Sequence, residues 1–361
     1  MQKKNKQRRK NAKIKLPLWL AVFLTLLCAA AALLRTQPWA QTDAKTTPTA
    51  AMPDGTLCVR FLDVGQGDSI LLGCDGVYML VDGGSVSQSQ FLVSRLNRLE
   101  VKSLDYVVNT HPDEDHCGGL AGVLARYPAQ HVYASVTEHT TRAFENVAKY
   151  ADAQGSSIEV PELGTSWQLG EATVELIGPV EDFDETNNQS LILRVDYGQT
   201  SFLLTGDMEV EAEEALLRAG ANVRADVLKV GHHGSTTSTS QAFLNAVSPS
   251  IAVISAGEGN DYGHPHEQTL TALQTRQIEL YRTDTQGEII MISDGETITV
   301  TTDPTSREAP TTAAAYVGNV NSRIVHSANC AKLPGEKNRV PFDELEQALA
   351  LGYEKHSCIP D

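Results

Sequence analysis

The sequence is short of positive charge over most of its length. Of its 29 lysines and arginines, nine lie before residue 36, which leaves 20 against 45 acidic side chains in the remainder. So acidic a body excludes a broad basic face for nucleic acid. A polyanionic substrate would have to be drawn in by metal ions. Cysteine is sparse too. Cys28, Cys58, Cys74, Cys117, Cys330 and Cys358 form no disulfide framework, although spacing alone leaves a Cys58–Cys74 bridge conceivable outside a cell. No solenoid-type repeat is present.

What is there begins at the amino terminus. Residues 1–15 carry eight basic residues and no acid, as a cytoplasmic tail would. Residues 16–34 are an uncharged run of 19 residues, long enough to cross a bilayer as a helix. The basic flank sets the amino terminus inside. The run exceeds a usual signal-peptide core, offers only a poor small-residue cleavage pattern, and has Leu27 before Cys28 where a lipoprotein site needs a small residue. An uncleaved anchor is therefore expected, with the body of the chain outside the cytoplasm. Residues 35–54 are a Thr/Ala/Pro-rich spacer. A folded body follows at 55–302, a second Pro/Thr/Ala spacer at 303–315, and a last unit at 316–361. A chain of 361 residues suits more than one folded unit.

The body is organised around Asn109–Leu120, NTHPDEDHCGGL. An apolar run, LDYVVN, precedes it and reads as a buried strand. Gly118, Gly119 and LAGVLARY follow as a close-packed helix start. His111, Asp113, Asp115 and His116 thus crowd two imidazoles and two carboxylates onto a strand-to-helix loop, a mixture suited to a divalent cation. Other ligand types end other apolar runs. Asp82 ends VYMLVD, Asp207 ends SFLLTGD, and His232 and His233 end VLKVGHH. A lone Asp at a strand end is usually a turn or cap, but four strand ends finishing in ligand types argue for a shared site. SLILRVDYG and TSFLLTGD read as a hairpin turning at Gly198-Gln199, and Glu209–Ala219 as an amphipathic helix. Two β-rich halves with intervening helices suggest two packed sheets covered by helices.

The H-x-D-x-D-H loop, TGD and GHHGS resemble the metallo-β-lactamase fold. Within it, FLDVGQGDS, LVDGG, THPDEDHCGGL, NNQSLILRVDYGQTSFLLTGD, LKVGHHGS, NDYGHPH and YRTDTQGEI resemble the hydrolase domain of ComEC-type competence proteins. The resemblance implies an αββα sandwich and a metal-dependent hydrolase, with phosphodiesters as substrate class. The multi-span channel region of those proteins is absent, so DNA transport is not implied. Residue by residue, the resemblance makes His111 and Asp113 ligands of a first cation. Asp115, His116 and one of His232 and His233 hold a second, and Asp207 bridges the two. Asp113 stands where many relatives have histidine, and Asn187-Asn188-Gln189 where the general fold has another. The first set is therefore oxygen-rich, which favours Mn²⁺ or Mg²⁺ while still admitting Zn²⁺. Two such cations would activate water for in-line attack on phosphorus. Asp115, Asp207, His233 and His264 are the expected catalytic residues. Asp82 and Asn188 are expected behind the ligands, with Asp82 orienting a ligand histidine. The imidazole of the 232/233 pair that holds no metal is left to contact phosphate or protonate the leaving oxygen. His266 shares with His264 a choice between that chemistry and a turn. Gln66 and Asp68, in DVGQGDS, are expected either to line the site or to belong to a plain glycine turn.

The last unit carries its own signal. His326 and Cys330 lie four apart, and His356 and Cys358 close the chain, a spacing suited to a structural zinc. It resembles the zinc-binding module of the Ada DNA-repair protein, which uses CxxxC and CxxC where this chain has HxxxC and HxC. A Cys330–Cys358 disulfide is the alternative.

The expected whole is a membrane-anchored extracytoplasmic hydrolase with a dinuclear metal site, acting on DNA or another phosphodiester. Its rivals are a hydrolase of phosphocholine or cell-wall phosphodiesters, and a non-catalytic protein that binds nucleic acid or a partner. The topology is testable: protease added to intact cells should remove residues 55–361 from the membrane. Protection until lysis would reverse the orientation.

Overall fold

The computed structural model describes residues 52–307, 314–335, 338–342, 345–350 and 353–360. The basic tail and the run at 16–34 lie outside these residues. Among the described residues no helix is long and apolar enough to cross a membrane. Six strands come first: β1 (Leu57–Phe61), β2 (Ile70–Cys74), β3 (Val77–Val81), β4 (Leu104–Asn109), β5 (Ala129–Ala134) and β6 (Ile158–Glu159). Seven more form a second sheet: β7 (Ser166–Leu169), β8 (Ala172–Gly178), β9 (Ile192–Tyr197), β10 (Thr200–Leu204), β11 (Val227–Lys229), β12 (Ile251–Ile254) and β13 (Glu279–Arg282). The chain then returns to the first sheet with β14 (Glu288–Ser293) and β15 (Ile298–Asp303). The orders are β15-β14-β1-β2-β3-β4-β5-β6 and β13-β12-β11-β10-β9-β8-β7. The β9–β10 hairpin turns at Gly198-Gln199, as the sequence suggests.

Both faces of each sheet are covered, which explains why the strands read as near-continuous apolar runs. Along the first sheet, Leu57, Val59, Phe61, Ile70, Leu72, Met79 and Val81 face the second sheet, where they meet Val174, Leu193, Val195, Phe202 and Leu204. Alternate residues Leu71, Leu80 and Val107 face outward to a separate core. Helices α1 (Ser89–Arg98), α2 (Glu114–Cys117), α3 (Leu120–Leu124) and α4 (Arg142–Ala153) connect the strands of the first sheet, and α1, α3 and α4 close that outer core. Helices α5 (Val210–Ala219), α6 (Gln241–Val247) and α7 (Glu267–Thr275) do the same for the second sheet. The layers are helix, sheet, sheet, helix. Cys58 and Cys74 cannot bridge: Cys74 pairs in register with Leu57, so Cys58 points to the other face, and both thiols are free. Outward-facing Arg60 would be stranded without a partner, and Glu288 of β14 supplies one at 2.9 Å, with Arg95 of α1 at 2.7 Å.

Residues 316–360 build a small sheet with the order β18 (Arg339–Phe342), β16 (Tyr316–Asn319), β17 (Ile324–Ser327) and β19 (Glu354–Lys355). It shares one apolar core with the sandwich. Val320, Val325, Val340, Phe342 and Tyr353 join the cluster that contains Leu96, Val147 and Tyr150. The Tyr150 hydroxyl donates to Val320 O at 2.9 Å and lies 3.0 Å from the Tyr353 hydroxyl. The Arg323 guanidinium sits 4.8 Å over the Tyr150 ring, a cation–π contact.

Candidate active site

The site forms at the carboxyl ends of β3, β4, β10 and β11. Beyond β3, Asp82 takes a left-handed φ of 58° and turns its buried carboxylate back over the sheet. It accepts from Asn109 Nδ2 at 3.1 Å, Thr110 N at 2.8 Å and Thr110 Oγ1 at 2.7 Å, and pairs with His116 Nδ1 at 2.9 Å. Helix α2 starts at Glu114 with Asp113 at its N-cap, so the loop is fixed at both ends. Two glycines let it close. A side chain on Gly119 would collide with the Gly83 carbonyl, and one on Gly118 with the backbone of Val86.

Asp115, His116, Asp207 and His233 each offer a ligand atom within 4.8 Å of the others. His116 Nε2 lies 3.3 Å from Asp207 Oδ1, and His233 Nε2 lies 3.3 Å from Asp207 Oδ2 and 3.4 Å from Asp115 Oδ2. Asp207 reaches this point because Gly206, at φ 50°, turns the chain after β10, and Ser190 Oγ accepts from its backbone N–H at 3.1 Å. His233 lies on a 3₁₀ turn after β11 and directs Nδ1 to Ser255 O at 3.0 Å. His111 is fully buried, its ring centre 4.1 Å from that of His116 and its Nε2 3.8 Å from Asp113 Oδ2.

Four buried atoms decide what this cluster suits. Among the described residues, His111 Nε2, His116 Nε2, Asp207 Oδ1 and His233 Nε2 have no hydrogen-bond partner. They lie 3.3–3.8 Å from oppositely charged atoms. Unpaired buried polar atoms are costly, and a divalent cation satisfies imidazole nitrogens and carboxylate oxygens together. The donor set fits such an ion.

The charges follow from crowding. Burial, then repulsion from His116, pushes His111 down to about 4. Burial also works against charge on His116 and His233, yet Asp207 and the other carboxylates outweigh it and hold both well above the ordinary imidazole range. Burial opposes charge on Asp207, but His233 and His116 draw it well below the usual carboxylate range. Asp115 is lowered in the same way against burial, chiefly by His233. Burial, then Asp115, raises the half-exposed Asp113. His264 is pushed down to about 4 by burial and then by the neighbouring histidines His233, His232 and His266.

Other expected residues fall elsewhere. Between the paired histidines, it is His233 that joins the cluster. His232 is half-buried, its Nε2 3.9 Å from Asp207 Oδ2, and Glu209 Oε1 holds its Nδ1 at 3.0 Å. The His264 ring lies 5.4 Å from that of His232, at the edge of the cluster. His266 is in a turn role: its Nδ1 accepts from Thr236 N at 3.0 Å, just before α7. One expectation needs correcting. Asp68 does not line a cavity; it is 1% exposed and paired with the buried Lys229 at 2.7 Å. Gln66 is half-buried, and its side-chain oxygen accepts from Gly257 N at 3.2 Å. Asn188 reaches the site only indirectly, accepting from Glu209 N at 2.9 Å. Lys229 and Glu209 were not singled out from sequence. A lysine inside the apolar run VLKV is the available signal for the first, and nothing marks the second, at the N-cap of α5, among the acids around it.

A second cluster lies in the small sheet. His326, Cys330, His356 and Cys358 offer ligand atoms within 4.8 Å of one another. Both thiols are free, so the disulfide alternative is not what the structure contains.

The profile of the metallo-beta-lactamase superfamily matches residues 62–258, a span that holds every residue of the first cluster. The chain belongs to the metallo-beta-lactamase superfamily. Among the superfamily's competence proteins, it is related to ComE operon protein 3 of Bacillus subtilis, with 34% identity over 250 residues, 64% of this chain and 32% of that protein. It is 36% identical to competence protein ComA of Neisseria gonorrhoeae over 242 residues, 66% of this chain and 33% of that one. The chain thus spans about a third of the length of both. Exodeoxyribonuclease WalJ of Streptococcus pneumoniae is 29% identical over 176 residues, 46% of this chain and 63% of WalJ. This metallo-beta-lactamase domain, with its buried His/Asp group, is consistent with a metal-dependent hydrolase.

The opposed histidine shifts predict a pH profile for protein stripped of metal by chelator. A free imidazole titrates near 6.5. His111 and His264 stay neutral down to about 4, so protons taken up by the unfolded chain below about 6.5 destabilise the fold as pH falls. His116 and His233 have the reverse sign: their contribution is full below about 6.5 and drains as pH rises toward their raised values. Urea unfolding in chelator should therefore show maximal stability near pH 6.5. Added Mn²⁺ or Zn²⁺, which binds neutral imidazole, should remove the alkaline decline. A chelated protein that keeps gaining stability up to pH 9 would contradict these assignments.

Proposed function

We propose that the chain is a phosphodiesterase acting on DNA through two divalent cations, anchored to the membrane by residues 16–34 and facing outward. The observation that carries the reading is the set of buried, unpartnered ligand atoms on His111, His116, Asp207 and His233. Asp115, His116 and His233 would hold one cation, His111 and Asp113 the other, with Asp207 between them. The printed name of WalJ, an exodeoxyribonuclease, supports DNA as the substrate class. Bound divalent cations supply charge neutralisation for a phosphoryl group and lower the pKa of water. The chain's own residues do the rest. Asp82 fixes the His116 ring through Nδ1, leaving Nε2 for the cation. Ser255 O does the same for His233. His232, held by Glu209 at the half-open side, is placed to meet a phosphate oxygen or a leaving group. His264, held neutral near pH 7, can orient substrate but is a poor proton donor there. With 20 basic residues against 45 acidic ones beyond Arg35, the cations would provide most of the attraction for a polyanion.

The decisive assay offers the purified chain DNA, a bis-aryl phosphodiester, and phosphocholine and wall-polymer diesters, each with Mn²⁺, Mg²⁺ or Zn²⁺. DNA cleavage is expected. Turnover of the other diesters alone would move the substrate class, and no turnover with metal bound would leave a binding protein. Asp207→Asn keeps the shape and removes a charge between two cations, a costly loss of compensation at low dielectric. It should release at least one metal and nearly all activity. Activity within a few-fold of the parent, at equal protein and metal, would refute the bridging role.

We also propose that His326, Cys330, His356 and Cys358 hold one structural zinc, as in an Ada-like module. Cys330→Ser should release one zinc and raise hydrogen exchange in residues 316–360, with small diesters still cleaved. Equal zinc in variant and parent would rule this site out.

A further inference from the structure

Behind the metal-binding group sits an ion pair that the proposed chemistry does not use. Lys229, at the end of β11, is 0% exposed. Its Nζ lies 2.7 Å from Asp68 Oδ2 and donates to Val230 O at 2.9 Å. The other carboxylate oxygen, Asp68 Oδ1, has no hydrogen-bond partner among the described residues and lies 3.5 Å from His233 Nδ1. Asp68 also offers an atom within 4.8 Å of ligand atoms on Asp82 and His116. It therefore lies behind both imidazoles of the cluster. The loop that carries it is pressed onto a third member. Asp68 N donates to Asp115 O at 3.3 Å, Gly84 N donates to Asp68 O at 2.7 Å, and a side chain on Gly67 would collide with the Asp115 carbonyl.

A buried ion pair is weak evidence for stability, because an apolar pair of like size is often as good or better. Its presence here calls for another reason. We propose that Asp68 and Lys229 form a buried pair that places a fixed negative charge behind the His233 imidazole, and so sets how tightly the cluster holds its cation. This rests on the reading of that cluster as a metal centre. Ser255 O is the nearer acceptor for His233 Nδ1 and sets the direction of the N–H. Asp68 adds the charge that a carbonyl lacks, and Lys229, 2.7 Å away, holds that carboxylate in place. Carboxylates behind ligand histidines typically matter about 10–100-fold in metal affinity.

The test is cation affinity, measured on the full-length chain by Mn²⁺ and Zn²⁺ titration against a chelator, with metal-free unfolding recorded alongside. Asp68→Asn/Lys229→Met removes both charges and leaves no buried ion unpaired. It should fold about as well as the parent yet bind cation about 10–100-fold more weakly. Asp68→Asn/Lys229→Gln, a hydrogen-bonded neutral pair, serves if the first variant does not fold. Lys229→Gln alone keeps the carboxylate and should bind at least as tightly as the parent, though less stable when metal-free. Opposite effects on affinity from the neutral pair and from Lys229→Gln support the proposal. A neutral pair that binds within about twofold of the parent overturns it, as does equal weakening in every variant, which is what packing alone would give. Failure of the parent to take up cation sinks the metal-centre reading itself, a result separate from these.

Discussion

Most of the site's geometry hangs on one buried carboxylate. Asp82 gathers Asn109, Thr110 and His116 around its two oxygens, so the turn after β3 and the loop after β4 are one unit. In a low-dielectric interior a charged acceptor that meets several donors is strong, and one left alone is expensive. The constraint is therefore mutual. The loop cannot leave without stranding Asp82, and Asp82 cannot move without releasing His116. The His116 ring inherits its position from this knot, and with it the tilted contact that His111 makes on His116.

Much of this was legible from residue types alone. The apolar runs marked the strands because both sheet faces are covered, and ligand types at strand ends marked the cluster. What the residue types do not show has a physical cause. Asp68 sits in a Gly-rich stretch that suits a site edge or a turn, and only the fold reveals a buried lysine, 161 positions along at Lys229, as its partner. The choice between His232 and His233 turned on backbone geometry. Both have left-handed φ angles, 46° and 52°, which send adjacent rings in different directions. Asn187-Asn188-Gln189 reads from sequence as a place where an imidazole is missing. The structure adds that Asn188 holds the Glu209 backbone, and Glu209 holds His232. Such a relay has no sequence period to betray it.

The carboxyl-terminal sheet reads from sequence as a unit of its own, set off by a Pro/Thr/Ala-rich stretch. Its residues nonetheless share an apolar core with α1 and α4, and Tyr150 and Tyr353 meet across the seam. Few apolar side chains are available to so short a sheet, and small domains bury a smaller fraction of their surface. Leaning on the sandwich and gathering four metal-ligating side chains are two answers to the same shortage.

The pairing of β1 with β14 has a consequence for how the chain acquires its shape. Arg60 and Glu288 are 228 positions apart, yet they lie on neighbouring strands. The edge of β1 stays raw, and the first sheet stays without its last two strands, until nearly the whole sandwich has been synthesised. Such distant pairings slow folding. They also leave an unpaired strand edge exposed while it waits, the usual starting point for aggregation. A chain broken off before Glu288 would keep every member of the His/Asp cluster and still lack the strand that seals the sheet beneath it.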